Sequence, residues 1–304
     1  MIWHEEIPKI NLYPWFVCEL VRHNVKVCLS GNGGDEVFGG YFARYRHALR
    51  IDSLARSPLS PFLRGTGKIL EGIPENIRVK NRFRALSSLG DNTSEYVILA
   101  GALPESFNEQ LLPGTDRRHL QQLKGHYDKY FKNRDFLQGL INAELRTKLV
   151  DDLLSVDDTM SMAHSLEVRV PLLDNRIVDL MAPISWKLKY DGETHGKLLL
   201  RKAIREMLPQ ESLRKPKWGF SVNVYSWYKG ELGEVVRQVL PDSAVMQKYF
   251  SESFIRKLLA RPLSPDNRRL YVLLWQLLGF HFWHKMFIEN TRKPNLELDE
   301  LTQP

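Results

Sequence analysis

Thirteen consecutive residues hold the sharpest chemical signal in the chain: Leu29-Ser-Gly-Asn-Gly-Gly-Asp-Glu-Val-Phe-Gly-Gly-Tyr41. Gly31, Gly33 and Gly34 let the backbone turn tightly and aim successive N–H groups inward, which makes an anion nest. Ser30 adds a hydroxyl donor. Asp35 and Glu36 fall in the first turn of the helix pattern that follows, where the helix dipole favours carboxylates. Beside phosphates those carboxylates would repel unless a cation lay between them. Mg²⁺ is the natural one, held by carboxylate and phosphate oxygens together. The bland alternative is a tight turn with Asp35 and Glu36 as ordinary first-turn residues.

Other residues offer weaker chemistry. Asp151, Asp152, Asp157 and Asp158 form an acidic cluster on a helical stretch. It reads either as a site for a hard cation or as a solvated face whose neighbouring carboxylates point in different directions. Glu167 and Arg169 flank Val168 in an extended run. They either contact the charged groups of a substrate or pair with each other or with Asp174. His281 and His284 stand three apart on an apolar helix. Two ligands alone make no zinc site, so they read as polar edges of a buried helix. His164 and His195 have no Ser or Cys at a catalytic spacing, so a triad is unsupported.

The elements that must position these residues follow from apolar periodicity. Val25–Leu29 is short and β-branched and reads as a buried strand. Ser30–Gly34 is a turn, and a helix pattern runs from Asp35 through Val37, Phe38, Tyr41 and Tyr45. Strand, Gly-rich loop and helix N-terminus form the common phosphate-binding arrangement of α/β proteins. Residues 52–92 read as short helices and loops. Phe136–Ser155 carries Leu137, Leu140, Ile141, Leu145, Leu149 and Leu153 on one helical face. Asp158–Asp174 reads as a short helix followed by an extended Val168–Asp174. A helix over 196–207 ends before Pro209. Leu270, Leu273, Leu274, Leu277 and Leu278 mark a buried helix, and the residues from Arg292 read as a loose tail. One strand followed by almost only helix is an odd pattern, because a lone strand cannot satisfy its own backbone groups. The rest of the sheet is expected to come from elsewhere or to have been lost.

Composition sets the bounds. The 304 residues are 43% hydrophobic and 26% charged, with 19 Gly and 16 Pro, which excludes wholesale disorder, collagen and coiled coil. A net charge of +7 fits an anionic small substrate, a nucleic acid or an acidic partner and selects none of them. Cys18 and Cys28 lack the partners for a disulfide framework or a zinc site, so reduced thiols and a cytoplasmic location are expected. The apolar run Leu270–Trp283 is too short to span a bilayer, and no membrane association is expected.

The thirteen-residue string resembles the second ATP-site motif of the asparagine synthetase family. Three further stretches resemble the same family in the same order. They are Asp157-Asp-Thr-Met-Ser-Met-Ala-His-Ser-Leu-Glu-Val-Arg-Val-Pro-Leu-Leu-Asp174, Gly196-Lys-Leu-Leu-Leu-Arg201 and Arg214-Lys-Pro-Lys-Trp-Gly-Phe220. The opening Trp3-His-Glu-Glu-Ile-Pro8 is similar to the segment just upstream of these motifs. The resemblance implies an α/β fold: an incomplete adenine-nucleotide-hydrolase-like (PP-loop ATPase) domain, mostly helical in the part present. It implies a synthetase domain over 1–292, with 1–48 as a remnant of the nucleotide-binding sheet, 49–292 mostly helical and 293–304 a flexible tail.

The chemistry implied is ATP- and Mg²⁺-dependent amidation of aspartate. The side-chain carboxylate becomes an acyl-adenylate, and ammonia derived from glutamine displaces AMP. The resemblance places Ser30, Gly31, Gly33 and Gly34 at the nucleotide and pyrophosphate, Asp35 at Mg²⁺ and pyrophosphate, and Lys197 on the leaving pyrophosphate. A polyanionic leaving group calls for such a cation, nest and lysine rather than a nucleophile. Asn32 stands where some members carry an acid taken to accept a proton from the attacking ammonium. Asn is no base at neutral pH, but it can orient a substrate by hydrogen bonds.

No Ser-Gly-Gly-x-Asp-Ser loop occurs in the sequence, and no glutaminase domain with an N-terminal cysteine. The expectation is therefore a C-terminal synthetase part, active or not by itself. Alternatives are an inactive or complementing module of a split synthetase and a related amide-forming cyclase. The N-terminal strand is expected to bind a protein partner or to self-associate. Residues 201–230 are basic, but no nucleic-acid module is recognisable, and an ATP- and pyrophosphate-facing surface explains the same charge.

Overall fold

The computed structural model describes residues 13–72, 77–100, 105–114, 118–192, 195–214 and 223–289. Helix α1 (Tyr13–Val21) leads into strand β1 (Val27–Leu29), and β1 pairs in parallel with β2 (Glu167–Arg169). The register sets Val27 against Glu167, Cys28 against Val168 and Leu29 against Arg169. The ladder continues at both ends, where the Glu167 N–H donates to the Lys26 carbonyl at 2.9 Å and the Ser30 N–H donates to the Arg169 carbonyl at 2.8 Å.

This corrects two expectations. The strand has a partner within the described chain. Nor is the strand buried: Leu29 is 72% exposed and Val27 41%. Alternate side chains of a strand face opposite ways. Helix α10 (Ser155–Met162) packs on β2 and on α1, and Cys28 is better covered than its two neighbours.

After the Gly-rich turn come α2 (Gly34–Phe38) and α3 (Phe42–Arg56), two helices where periodicity suggests one. Gly39 closes α2 in the left-handed region, at φ 79°, and both its N–H and that of Gly40 donate to the Asp35 carbonyl. This is a helix stop built on glycine. Helices α4 (Ser60–Leu70), α5 (Ile77–Ser87), α6 (Asn92–Leu99), α7 (Glu105–Leu111) and α8 (Arg118–Phe131) follow.

The long helix expected over Phe136–Ser155 divides. Helix α9 (Phe136–Arg146) ends at Thr147, whose hydroxyl donates back to the Ala143 carbonyl at 2.7 Å. A π-helical segment, Lys148–Leu154, then leads into α10. Residues 171–173 form a 3₁₀ turn rather than extended chain, and Asp174 caps α11 (Asn175–Met181). Helix α12 covers Leu198–Ala203 instead of 196–207. The C-terminal part comprises α13 (Gln210–Arg214), α14 (Val224–Lys229), α15 (Glu231–Asp242), α16 (Ala244–Tyr249), α17 (Glu252–Leu259) and α18 (Arg268–Phe287).

Three apolar clusters hold these elements. Tyr228, Leu240, Met246, Ile255 and the Leu270–Phe282 face of α18 form the C-terminal core. Tyr45, Leu89, Phe136, Leu137, Leu140 and Tyr190 form a central one. Val37, Phe38 and Met181 form a small one under the Gly-rich turn. The expected polar edges of α18 are buried within it. His281 Nδ1 lies 2.7 Å from Ser243 Oγ, and His284 Nε2 lies 3.4 Å from the Tyr249 hydroxyl. Residues 215–220 and the tail 293–304 lie outside the described residues, as do 1–12.

Candidate active site at the end of the parallel strands

The turn Ser30–Gly33 leaves the C-terminal end of β1, where ligands bind in parallel α/β sheets. Asn32 N–H donates to Ser30 Oγ at 3.2 Å, which ties the turn to the strand end. Gly33, at φ 80°, precedes α2, and a Cβ there would sit 2.1 Å from Leu173 Cδ2. Position 33 is thus glycine for two reasons, backbone sign and space.

Lys197 reaches the same place from a remote part of the chain. Its Nζ lies 3.0 Å from Asp35 Oδ1, both side chains being about three-quarters buried. The backbone of Lys197 is itself left-handed, at φ 59°, and its N–H donates to the Gly39 carbonyl at 3.3 Å. A Cβ on Gly40 would lie 1.7 Å from Asp35 Oδ1 and 2.7 Å from Lys197 Cε. The ion pair therefore occupies the space that the missing side chain of Gly40 leaves. Six of the expected site residues, Ser30, Asn32, Gly33, Gly34, Asp35 and Lys197, are gathered here. Gly31 belongs to the same turn and is open on its Cα side, with no atom within 4 Å of an added Cβ.

Glu167 and Arg169 stand next to the turn, where the Arg169 carbonyl accepts from the Ser30 N–H, and their side chains pair with each other. Arg169 Nε donates to Glu167 Oε1 at 2.7 Å, both side chains more than half exposed. Asp174 is likewise engaged with Arg176, whose Nη2 lies 2.9 Å from Oδ2.

Beneath the turn lies a buried charge cluster that sequence patterning does not single out. Glu36 is 1% exposed and accepts a short hydrogen bond from the Tyr41 hydroxyl. Lys148 Nζ stands 4.0 Å over the Tyr41 ring. Glu144 is fully buried, with Arg44 Nη2 2.7 Å from its Oε1, an ion pair by distance whose angle makes no hydrogen bond. Burial pushes the Glu144 carboxyl up, against the pull of Arg44 and Lys148. Burial holds Lys148 down, against the pull of Glu144. Burial and the Glu36 carboxylate hold Tyr41 far above the phenol range, so it stays a donor.

One contact crosses from the turn to α10. Asn32 Nδ2 donates to Asp157 Oδ2 at 2.5 Å. Burial raises the Asp157 carboxyl and the Asn32 hydrogen bond opposes that rise. Asp157 is one of the four acids in the 151–158 cluster, and it is bonded to the turn. Its signals in the sequence are its place in the acidic cluster and at the head of the Asp157–Asp174 stretch; neither points to Asn32. Lys189 is another buried cation near the turn, 2% exposed, donating from Nζ to the Met181 carbonyl at 2.7 Å. Burial lowers it to about 8.

A Gly-rich turn at the end of a parallel strand, faced by a lysine from elsewhere in the chain, is an arrangement that suits phosphate in α/β proteins. The family model described as asparagine synthase matches residues 2–285. The chain is 32% identical over 308 residues to asparagine synthetase [glutamine-hydrolyzing] 1 of Bacillus subtilis (strain 168), covering 97% of this chain and 46% of that protein. It is 31% identical over 312 residues to a putative asparagine synthetase [glutamine-hydrolyzing] of Mycobacterium tuberculosis (strain CDC 1551 / Oshkosh), covering 97% of this chain and 45% of that protein. The chain belongs to the asparagine synthase family. It spans about half the length of the curated relatives it matches.

Proposed function

We propose that this chain carries the synthetase half of an ATP-dependent amidation, in which ammonia replaces AMP on an activated aspartate side chain. The supporting observation is the Lys197–Asp35 pair, 3.0 Å apart and seated over Gly40 beside the anion nest. Bound ATP supplies the activation, by converting the carboxylate into an acyl-adenylate and releasing pyrophosphate. Ser30, Gly31, Gly33 and Gly34 bind its phosphates, and Lys197 offsets the charge that grows on the leaving pyrophosphate. Asn32 orients the incoming nucleophile. The donor set fits Mg²⁺ bound mainly through phosphates, a mode that needs only one or two carboxylates. No group of three or more His, Cys, Asp or Glu stands ready for a metal among the described residues, and Asp35 is the carboxylate paired with Lys197 at the turn. The fold reading is a PP-loop ATPase-like domain, for which the parallel β1–β2 pair and the nest at its end are the support. Cys18 and Cys28 are free thiols, in keeping with a reducing cytoplasm. No helix among the described residues is long and apolar enough to cross a membrane.

The test is aspartate-dependent exchange of labelled pyrophosphate into ATP. Exchange is expected to need Mg²⁺. Lys197→Ala is expected to weaken pyrophosphate binding about tenfold or more while leaving AMP within about twofold. Equal losses for both ligands in titration calorimetry would remove Lys197 from the role assigned.

A second reading is a module that completes a separate or upstream polypeptide and does not turn over by itself. The exposed side of β1 favours it. Val25, Val27 and Leu29 are 43%, 41% and 72% exposed, as are Phe16 and Leu20 of α1 at 65% and 71%. Among the described residues β1 pairs with β2 alone, and a free strand edge is a template for another strand. Asparagine formation from ammonia and ATP by the pure chain would exclude this second reading.

A further inference from the structure

We propose that Asp157 is the positioning residue of the amidation step: it fixes the side-chain amide of Asn32 so that its carbonyl oxygen, not its NH₂, faces the incoming nitrogen. The proposal rests on the synthetase reading above. The reason is hydrogen-bond polarity. An ionised carboxylate only accepts, and an amide oxygen cannot donate. The Nδ2–Oδ2 contact of 2.5 Å therefore decides which end of Asn32 is used up. Its Oδ1 is left as an acceptor on a residue that sits in the nest itself.

Ammonia has N–H groups to donate and a lone pair to aim. An acceptor on the N–H side holds the lone pair toward the acyl carbon. In the step, that pair forms the C–N bond and the C–O bond to AMP breaks. Its electrons leave on AMP, and one N–H proton is released to water. An Asn turned the other way would present N–H donors, which would engage the nucleophile's lone pair and aim it away from the acyl carbon.

The position is also built to keep Asp157 on this task. It lies on α10, which packs against α1 and β2. From α1, Tyr13 and Cys18 face it, each pushed up by burial and then by the Asp157 charge. Asp152 of the π-helical segment faces Tyr13 as well. Neither a protonated phenol nor a thiol supplies a countercharge. The amide of Asn32 is the partner that the geometry gives the carboxylate.

Two measurements test this. In a ¹⁵N-labelled sample of the chain, the Asn32 side-chain NH₂ resonances are expected to move with pH as Asp157 titrates. They are expected to stop doing so in Asp157→Asn. If they are insensitive to pH in the unaltered chain, the proposal is overturned whether or not the protein turns over. The second measurement separates half-reactions in the full protein. Asp157→Asn is expected to leave aspartate-dependent ATP–pyrophosphate exchange within about twofold while lowering kcat/KM for ammonia about tenfold or more.

The swap Asn32→Asp with Asp157→Asn restores one carboxylate facing one amide. One carboxylate oxygen is then held by the new amide and the other is left as an acceptor toward the nucleophile, so the swap is expected to use ammonia better than Asp157→Asn does. A swap no better than Asp157→Asn would overturn the positioning role. Equal loss of both half-reactions in Asp157→Asn would make the residue merely structural. Absence of exchange in the unaltered protein would instead remove the synthetase reading on which the second measurement stands.

Discussion

Glu95, on α6, is 2% exposed and accepts from Ser88 Oγ at 3.1 Å, far from the Gly-rich turn in sequence. Burial pushes its carboxyl up to about 8, from an ordinary value of 4.5. The folded chain therefore holds a proton that the unfolded chain gives up earlier. By linkage, the stability this group contributes is complete below its unfolded value of 4.5 and fades as pH rises through about 8. Glu95→Gln keeps the shape and removes the titration. Between those pH values, the melting temperature of the variant is expected to fall less steeply than that of the unaltered chain. Parallel melting curves across a pH series would show that Glu95 is not the group responsible. The same residue scale separates two glycines. A Cβ on Gly40 meets the side chains of Asp35 and Lys197 first, whereas a Cβ on Gly196 would lie 2.2 Å from the Gly39 carbonyl oxygen. Gly196→Ala is therefore expected to cost about 1–3 kcal/mol of stability. Gly40→Ala is expected to lower pyrophosphate affinity with little change in melting temperature. Calorimetry on the two variants reads both effects, and a reversed pattern would place the ion pair outside the ligand site.

At the scale of elements, the breaks carry more of the site than the helices do. The Gly39–Gly40 stop is what turns α3 away and leaves room for Lys197, and a periodic apolar pattern through Tyr41 and Tyr45 conceals it. Tyr41 is the N-cap of α3, donates to Glu36 and packs at the edge of the central core that buries Tyr45, so the pattern runs on across the break. The turn itself was legible, because Ser30–Asp35 is a local string whose glycines act on their own backbone. Lys197 was legible only through its resemblance to a family motif. Its contact with Asp35 spans more than a hundred and fifty residues, and no periodicity reports on such a distance. Glu167-Val-Arg169 was legible as extended chain, but its pairing with β1 was not. It has one apolar residue, and the partner lies well over a hundred residues away, so side-chain alternation does not report the register. The π-helical segment over Lys148–Leu154 was hidden too, since Leu149 and Leu153 fit an α-helical face equally well. Such segments are frequent at functional sites, and this one carries Lys148 to Tyr41 and ends where α10 begins.

Across the whole molecule, burial is uneven. The C-terminal core is lined by whole faces of α15, α17 and α18, with Leu240, Met246 and Ile255 at 0% exposure. The sheet has an uncovered side at Val27 and Leu29. Hydrogen exchange is expected to show the Val27–Leu29 amides opening well before those of Leu270–Phe282, by the rule that local stability follows buried contacts. Addition of a polypeptide that supplies a pairing strand is expected to slow exchange at β1 and leave α18 unchanged. Strand amides protected as well as α18 in a demonstrated monomer would end the edge-pairing argument.

The small cluster under the Gly-rich turn has a consequence for how the protein fails when warmed. Among the described residues its fully buried members are Val37, Phe38 and Met181, and its other apolar neighbours are only partly covered. A floor so thin can come apart while the helical bundle behind it still stands. Inactivation and denaturation then become two events at two temperatures. The first would be silent in circular dichroism, because α2 has five residues, and visible as lost pyrophosphate affinity in a chain that still scatters light as a folded particle. A nucleotide in the nest would close the gap between the two temperatures by raising the lower one alone.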